Sequence, residues 1–211
     1  MFFPQQCVCH LCGSWSDSGG CVCLKCQLAL EQKRMNGMFV PPFGATLHSC
    51  MAVWQFREPA RTLIHRLKYH GDAEMAEFIG EQMSNALACQ QELLREVEML
   101  VPVPLHETRL QERGYNQALL LAEEISRRTG IRLAPEAIIR TRRTETLVRR
   151  SRTERFNAIQ SAFTARPEQV QGRHILLIDD VFTTGATALA CAIALLEAGA
   201  QDVSVLTACR A

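Results

Sequence analysis

The stretch His174-Ile-Leu-Leu-Ile-Asp-Asp-Val-Phe-Thr-Thr-Gly-Ala-Thr187 decides the fold. Ile175 to Ile178 is a short apolar run without helical spacing, so it predicts a strand buried on both faces, as in a parallel sheet. Asp179 and Asp180 follow where such a strand ends, the edge at which open α/β sheets bind ligands. Thr183, Thr184, Gly185, Ala186 and Thr187 then form a small, hydroxyl-rich turn. A helix is predicted from Ala188 to Glu197, with Gly199 as its terminator.

A strand–turn–helix of this composition can hold a phosphate. Gly185 lets the backbone approach closely, successive N–H groups point into the turn, and the helix N-terminus favours negative charge. The turn carries no Lys and is therefore not a Walker loop. The acid pair would repel a phosphate and suits sugar hydroxyls or a hydrated Mg²⁺ instead. A ligand with sugar hydroxyls beside a phosphate satisfies both halves. The competing reading is a plain strand-to-helix turn with capping threonines, which has no need of two acids.

An apolar strand followed by Asp-Asp and then Thr-Thr-Gly-x-Thr resembles the phosphoribosyl pyrophosphate (PRPP) signature of type I phosphoribosyltransferases. The resemblance implies that Asp179 and Asp180 bind the ribose 2′- and 3′-hydroxyls with Mg²⁺. It also implies that Thr183 to Thr187 wrap the 5′-phosphate. The expected fold is α/β: a mostly parallel sheet flanked by helices.

Downstream, Asp202 to Thr207 alternates as a final strand, beside the Asp-Asp strand or at the sheet edge. Cys191 and Cys209 read as core thiols. The chain stops soon afterwards, so no further domain is expected. Upstream, Arg140 to Arg155 carries seven arginines against Glu145 and Glu154. With few apolar residues to hold it, this segment is expected to be mobile without a ligand. It can be a hood bringing Arg152 and Arg155 to a pyrophosphate, a nucleic-acid surface with salt-sensitive affinity, or a solvated basic loop.

Before it, Met99-Leu-Val-Pro-Val-Pro-Leu105 reads as a strand ending at Pro102 and Pro104, and a helix opens at Tyr115-Asn116-Gln117. By resemblance to phosphoribosyltransferases, the intervening loop holds the pyrophosphate. Arg109 and Arg113 would neutralise it with guanidinium forks, and Asn116 would add a hydrogen bond. The plain alternative leaves both arginines on the surface near a helix start. Thr46 to Phe56 suits a strand or hairpin. Glu58 to Tyr69 reads as a helix with Leu63, Ile64, Leu67 and Tyr69 on one face, and Arg61, His65, Arg66 and Lys68 around it, most simply a solvated basic face. A second helix is expected from Ala73 to Cys89.

Six of the ten cysteines fall in the first 26 residues, as Cys7-x-Cys9-x2-Cys12 and Cys21-x-Cys23-x2-Cys26. Two C-x2-C knuckles make a closed, structural Zn²⁺ site, for which Cys9, Cys12, Cys23 and Cys26 are the expected ligands. Cys7 and Cys21 are spare thiols, replacements for a neighbour, or members of a two-metal cluster. His10 reads as an exposed polar residue. Metal binding would supply much of the stability of so short a region.

The knuckle pair, the Leu67-Lys-Tyr69 helix, Val101-Pro-Val-Pro-Leu-His106, Arg113-Gly-Tyr-Asn-Gln117 and the Asp-Asp turn come in the order found in ComF-type competence proteins. The chain resembles that family along nearly its whole length. The resemblance implies a zinc-knuckle domain, 1–40, and a phosphoribosyltransferase-like domain, 41–211. It implies PRPP as ligand and a part in DNA uptake or DNA processing, with single-stranded DNA and a competence helicase or DNA-processing protein as partners. The chain departs from the family pattern at Leu147, where a Gln is expected, and at Asn157, which sits one position early. No residue identifies a nucleophile, and no base-recognition motif is readable.

Composition agrees with these readings. A 47% hydrophobic content is enough for a core, and a net charge of +1 excludes a polyelectrolyte that binds nucleic acid by bulk charge. Met1 to Gln6 lacks the basic start and apolar core of a signal peptide, and no run is long enough for a membrane span. A cytoplasmic location is expected, where cysteines favour metal over disulfides.

Overall fold

The computed structural model describes residues 7–16, 19–35, 37–41, 46–69, 72–141 and 162–211. The central sheet is ordered β3 (Met38–Phe39), β4 (Cys50–Gln55), β10 (Asp202–Arg210), β9 (His174–Phe182), β5 (Met99–Pro102), β6 (Arg132–Leu133). All neighbours pair in parallel except β3 with β4. The remaining strands form two small antiparallel pairs, β1 (Cys7–Val8) with β2 (Trp15–Ser16), and β7 (Ile138–Arg140) with β8 (Phe163–Ala165).

The helices are α1 (Leu24–Glu31), α2 (Ala60–Tyr69), α3 (Ala73–Ala88), α4 (Gln91–Glu96), α5 (Glu107–Arg113), α6 (Gln117–Thr129), α7 (Pro167–Val170) and α8 (Ala186–Glu197). They cover both faces of the sheet, as all-parallel strands require. Period-2 alternation divides the core accordingly. Leu176 and Ile178 join one apolar cluster with α2, α3 and α6 residues such as Leu63, Leu67, Ile79 and Leu121. Ile175 and Leu177 join a second with Ala190, Cys191 and Leu195 of α8. The buried alanines of α8 let it lie close on the strands.

Strand β9 runs four residues beyond the expected end at Ile178, because β10 pairs with it throughout: Thr207 opposes Asp179 and Arg210 opposes Phe182. The acids therefore lie within the strand rather than after it. Strand β10 is interior, between β9 and β4, so the sheet-edge alternative is excluded. In α2, Leu63, Ile64 and Leu67 are buried as expected, each contributing about 1.5–3 kcal/mol of burial. Tyr69 is instead 61% exposed, since a residue two after Leu67 faces away from it.

The cysteine-rich start packs on the same cluster as α2 and α3: Cys9, Val22, Cys26 and Leu30 are buried with Leu63, Ile64, Met75 and Ile79. Among the described residues, no helix is long and apolar enough to cross a membrane.

Candidate ligand crevice and metal centre

Connectivity creates a crevice. From β5 the chain passes through α6 outward to β6, and from β9 it passes through α8 in the opposite direction to β10. The β5–β9 boundary is therefore a topological switch point, where open α/β sheets bind ligands at their carboxyl ends. Pairing with β5 stops at Pro102–Ile178, and Val103 N–H donates to Ile178 O at 2.9 Å before the strands part. The Asp-Asp turn lies on one side of the opening and the loop after β5 on the other.

The strand's period sends the two acids to opposite faces. Asp179 continues the Ile175–Leu177 face toward α8. Asp180 continues the Leu176–Ile178 face toward α2, where Lys68 Nζ lies 2.8 Å from its Oδ2. The Asp180 N–H donates to Asp179 Oδ1 at 2.8 Å. Burial, followed by the neighbouring Asp180 charge, pushes the Asp179 carboxyl up to about 8. Beyond them, Gly185 adopts φ 76° and starts α8. That left-handed conformation is cheap only for glycine. Having no side chain, it offers no side-chain cap to the first-turn N–H groups. Thr184 Oγ1 accepts from Ala186 N–H at 3.4 Å, and Thr183 and Thr184 are exposed.

The opposite segment contains a helix where the sequence predicts only a loop. Helix α5 has a full set of end signals. His106 Nδ1 accepts from Thr108 N–H at 3.2 Å, Glu107 opens the first turn, and left-handed Gly114 closes the last. Arg109 is exposed on it, close enough to Arg140 for the two charges to oppose each other. Arg113 Nη1 donates to Gln117 Oε1 at 2.8 Å, and its guanidinium stands 5.6 Å over the Tyr69 ring. Asn116 caps α6, accepting from Ala118 N–H at 3.0 Å and donating to Val103 O at 3.1 Å, which ties the loop's two ends together. Beside this loop is a cleft of about 580 Å³, with Pro102, Leu105, Tyr115, Asn116, Ile139 and Arg140 in its wall.

At the other end of the chain, the sulfurs of Cys9, Cys12, Cys23 and Cys26 all lie within 4.8 Å of one another and can hold a metal ion. Cys12 and Cys23 are 3.7 Å apart, close to the roughly 3.8 Å edge of a tetrahedron with metal–sulfur bonds of about 2.3 Å. The Cys9 sulfur accepts from Cys23 N–H at 3.3 Å, joining the two knuckles. Hydrogen bonds from Ser14 bring the Cys12 thiol down to about 6, favouring the thiolate that a metal needs. Cys23 and Cys26 sit at the N-terminus of α1, whose dipole favours negative sulfur.

Cys21 is outside this group. Its thiol donates to Glu74 O at 3.5 Å, and burial, with Asp72 and Glu74 nearby, pushes it up to about 12. The Cys7 side chain lies outside the described residues. His10 is not simply an exposed polar residue. Its Nδ1 is 2.6 Å from Asp72 Oδ2, and Asp72 in turn caps α3 by accepting from Met75 N–H at 3.0 Å. It therefore fastens the knuckle to α3.

No family model matches the chain. The DNA utilization protein YhgH of Escherichia coli O6:H1 is 30% identical over 211 residues, covering 96% of this chain and 90% of that one. The competence protein ComFC of Bacillus subtilis is 31% identical over 207 residues, covering 96% of this chain and 78% of that one.

The chain belongs to the ComF family.

Competence protein F of Haemophilus influenzae, 30% identical over 165 residues, covers 75% of this ComF chain, which spans 71% of it. Among solved structures, glutamine PRPP amidotransferase from Bacillus subtilis is similar at a TM-score of 0.43 and 20% identity, over 63% of this chain and 25% of that one. At so low a score, the fold rests on the sheet order itself.

The crevice brings together the expected acid pair, the 183–187 turn and the 102–116 loop of this ComF chain. Arg152 and Arg155 lie outside the described residues. The sequence does not mark Lys68 as a site residue because, on a helix pattern, a basic residue beside an apolar stripe reads as solvated. Only the strand that Asp180 occupies, distant in sequence, reveals its partner.

Proposed function

We propose that this ComF chain binds Mg²⁺–PRPP in the β5–β9 crevice and acts as a ligand-binding module in DNA uptake or DNA processing. The observation that carries the proposal is the junction of β9 and α8 at the switch point. Two carboxylates stand beside a threonine-rich turn whose left-handed Gly185 leaves backbone donors at a helix N-terminus. Asp179 and Asp180 would take the ribose hydroxyls and the Mg²⁺, for which carboxylate oxygens are suitable hard donors. The 183–187 turn would take the 5′-phosphate. Arg109, Arg113 and Asn116 would serve the pyrophosphate, joined by Arg152 and Arg155.

The four-cysteine centre would hold structural Zn²⁺, its four sulfurs leaving no open position for catalysis. We further propose a zinc-knuckle domain over 1–40 and a phosphoribosyltransferase-like domain over 41–211. The names of the relatives support a competence or DNA-utilization role. As part of the same proposal, the chain would act in the cytoplasm with single-stranded DNA and a helicase or DNA-processing protein as partners.

Calorimetric titration of Mg²⁺–PRPP into wild type and an Asp179→Asn/Asp180→Asn variant tests the site. Binding by wild type that the variant loses is the expected result. Absence of binding at millimolar ligand would refute the proposal and turn attention to salt-dependent DNA binding. A second reading, transfer of phosphoribose to an acceptor, is favoured by the cleft beside the 102–116 loop, which has room for another reactant. Acceptor-dependent release of pyrophosphate would establish it.

A further inference from the structure

Three consecutive residues at the end of α2 each touch a different part of the crevice. Leu67 O accepts from the Tyr115 hydroxyl at 2.7 Å, next to the Asn116 cap. Lys68 Nζ meets Asp180 Oδ2 at 2.8 Å. The Tyr69 ring lies under the Arg113 guanidinium at 5.6 Å. The segment is held from behind by Leu63, Ile64 and Leu67, all buried, so Lys68 is presented by a fixed helix face. Its side chain is 24% exposed and that of Asp180 12% exposed, far less than in an ordinary surface ion pair.

An acid so placed needs a cation whether or not ligand is bound, because a desolvated carboxylate without one is costly. We propose that Lys68 is the resident counterion of the acid pair. It neutralises Asp180 until a divalent cation arrives together with its anionic ligand, and so prevents the site from binding the free cation. The inference deepens the Mg²⁺–PRPP reading and rests on it. It goes beyond that reading in making α2 a third wall of the site and Lys68 a competitor of the metal. A divalent cation arriving alone must displace an ammonium from Asp180 and leave it beside a second positive charge. A cation arriving with a diphosphate brings negative charge that the displaced ammonium can face.

The test is titration of Mn²⁺ alone into the full chain, its cysteine centre kept loaded with zinc, followed by paramagnetic resonance of the free ion. Thiolates are soft donors and Mn²⁺ prefers oxygen, so the two sites remain separable. Lys68→Met and Lys68→Gln should each bind Mn²⁺ at least about tenfold more tightly than wild type, since a unit positive charge has been removed beside the acids. Lys68→Arg should stay near wild type, and adding Asp180→Asn to Lys68→Met should remove the gain.

Equal or weaker Mn²⁺ binding in the charge-removing variants would overturn the proposal, because Lys68 would then not be competing with a cation for Asp180. Lys68→Gln, which keeps an amide donor for Asp180, provides the same comparison if Lys68→Met does not fold. No PRPP is present in this titration. Failure of wild type to bind Mg²⁺–PRPP therefore refutes the ligand reading separately from the Lys68 result.

Discussion

Gly80→Ala should loosen the seam behind the crevice. Gly80 lies in α3 against α6, the helix whose Asn116 cap ties down the 102–116 loop. A Cβ at Gly80 would fall 2.5 Å from Glu124 Cγ and 2.6 Å from Glu124 Cβ. The Cγ could swing aside, but the Cβ is fixed by its own backbone, so the helices must separate. Glu124 is also held by Arg127 at 2.6 Å and by Arg128. Overpacking of this kind costs about 1–3 kcal/mol. Replacing a helical glycine by alanine returns up to about 1 kcal/mol. With the fixed Glu124 Cβ only 2.6 Å away, the upper part of the overpacking range applies, about 2–3 kcal/mol. The net loss is therefore roughly 1–2 kcal/mol, and at about 2–4 °C per kcal/mol for a chain of this size, Tm should fall by about 2–8 °C. Thermal unfolding followed by circular dichroism measures it. A variant as stable as wild type, or more stable, would refute the reasoning, because helix propensity would then outweigh the clash.

Removing the metal from the four-cysteine centre should lower Tm in differential scanning fluorimetry, because Cys9, Cys23 and Cys26 belong to the main apolar cluster with Val22 and Leu30; an unchanged Tm after complete metal loss would refute this. Asp179→Asn should stabilise the ligand-free, Mg²⁺-free protein progressively as pH rises. The Asp179 carboxyl is raised from 3.8 to about 8, so wild type binds the extra proton in its folded state and loses stability through that window, while asparagine does not ionise. The Tm difference, variant minus wild type, should grow between those pH values and then level off, and a constant difference would contradict it.

Local patterns in the sequence carry a large part of this protein. The four apolar residues before Asp179 specify a doubly buried strand, since only a parallel sheet covered on both faces hides such a run. Gly185 marks the left-handed turn because no other residue adopts it cheaply. The spacing of Leu63, Ile64 and Leu67 defines the buried face of α2, and the two C-x2-C pairs define the four-cysteine cluster. The end signals of α5, from His106 to Gly114, were equally local, and a search for caps would have found that helix.

Tertiary structure decided what depends on residues far apart in the chain. Sequence could not choose between an interior and an edge position for β10, because both are apolar and the choice rests on register with β9 and β4. The C-x2-C spacing leaves Cys21 outside the four expected ligands but open as a spare thiol, a replacement or a member of a two-metal cluster, and only packing turns its sulfur to the Glu74 carbonyl, 53 positions away. His10 finds Asp72 across 62 positions, and Lys68 finds Asp180 only once β9 has extended past Ile178. Periodicity reports which side of an element is buried. Which charge faces which is fixed by how the elements pack, and no local pattern carries that information.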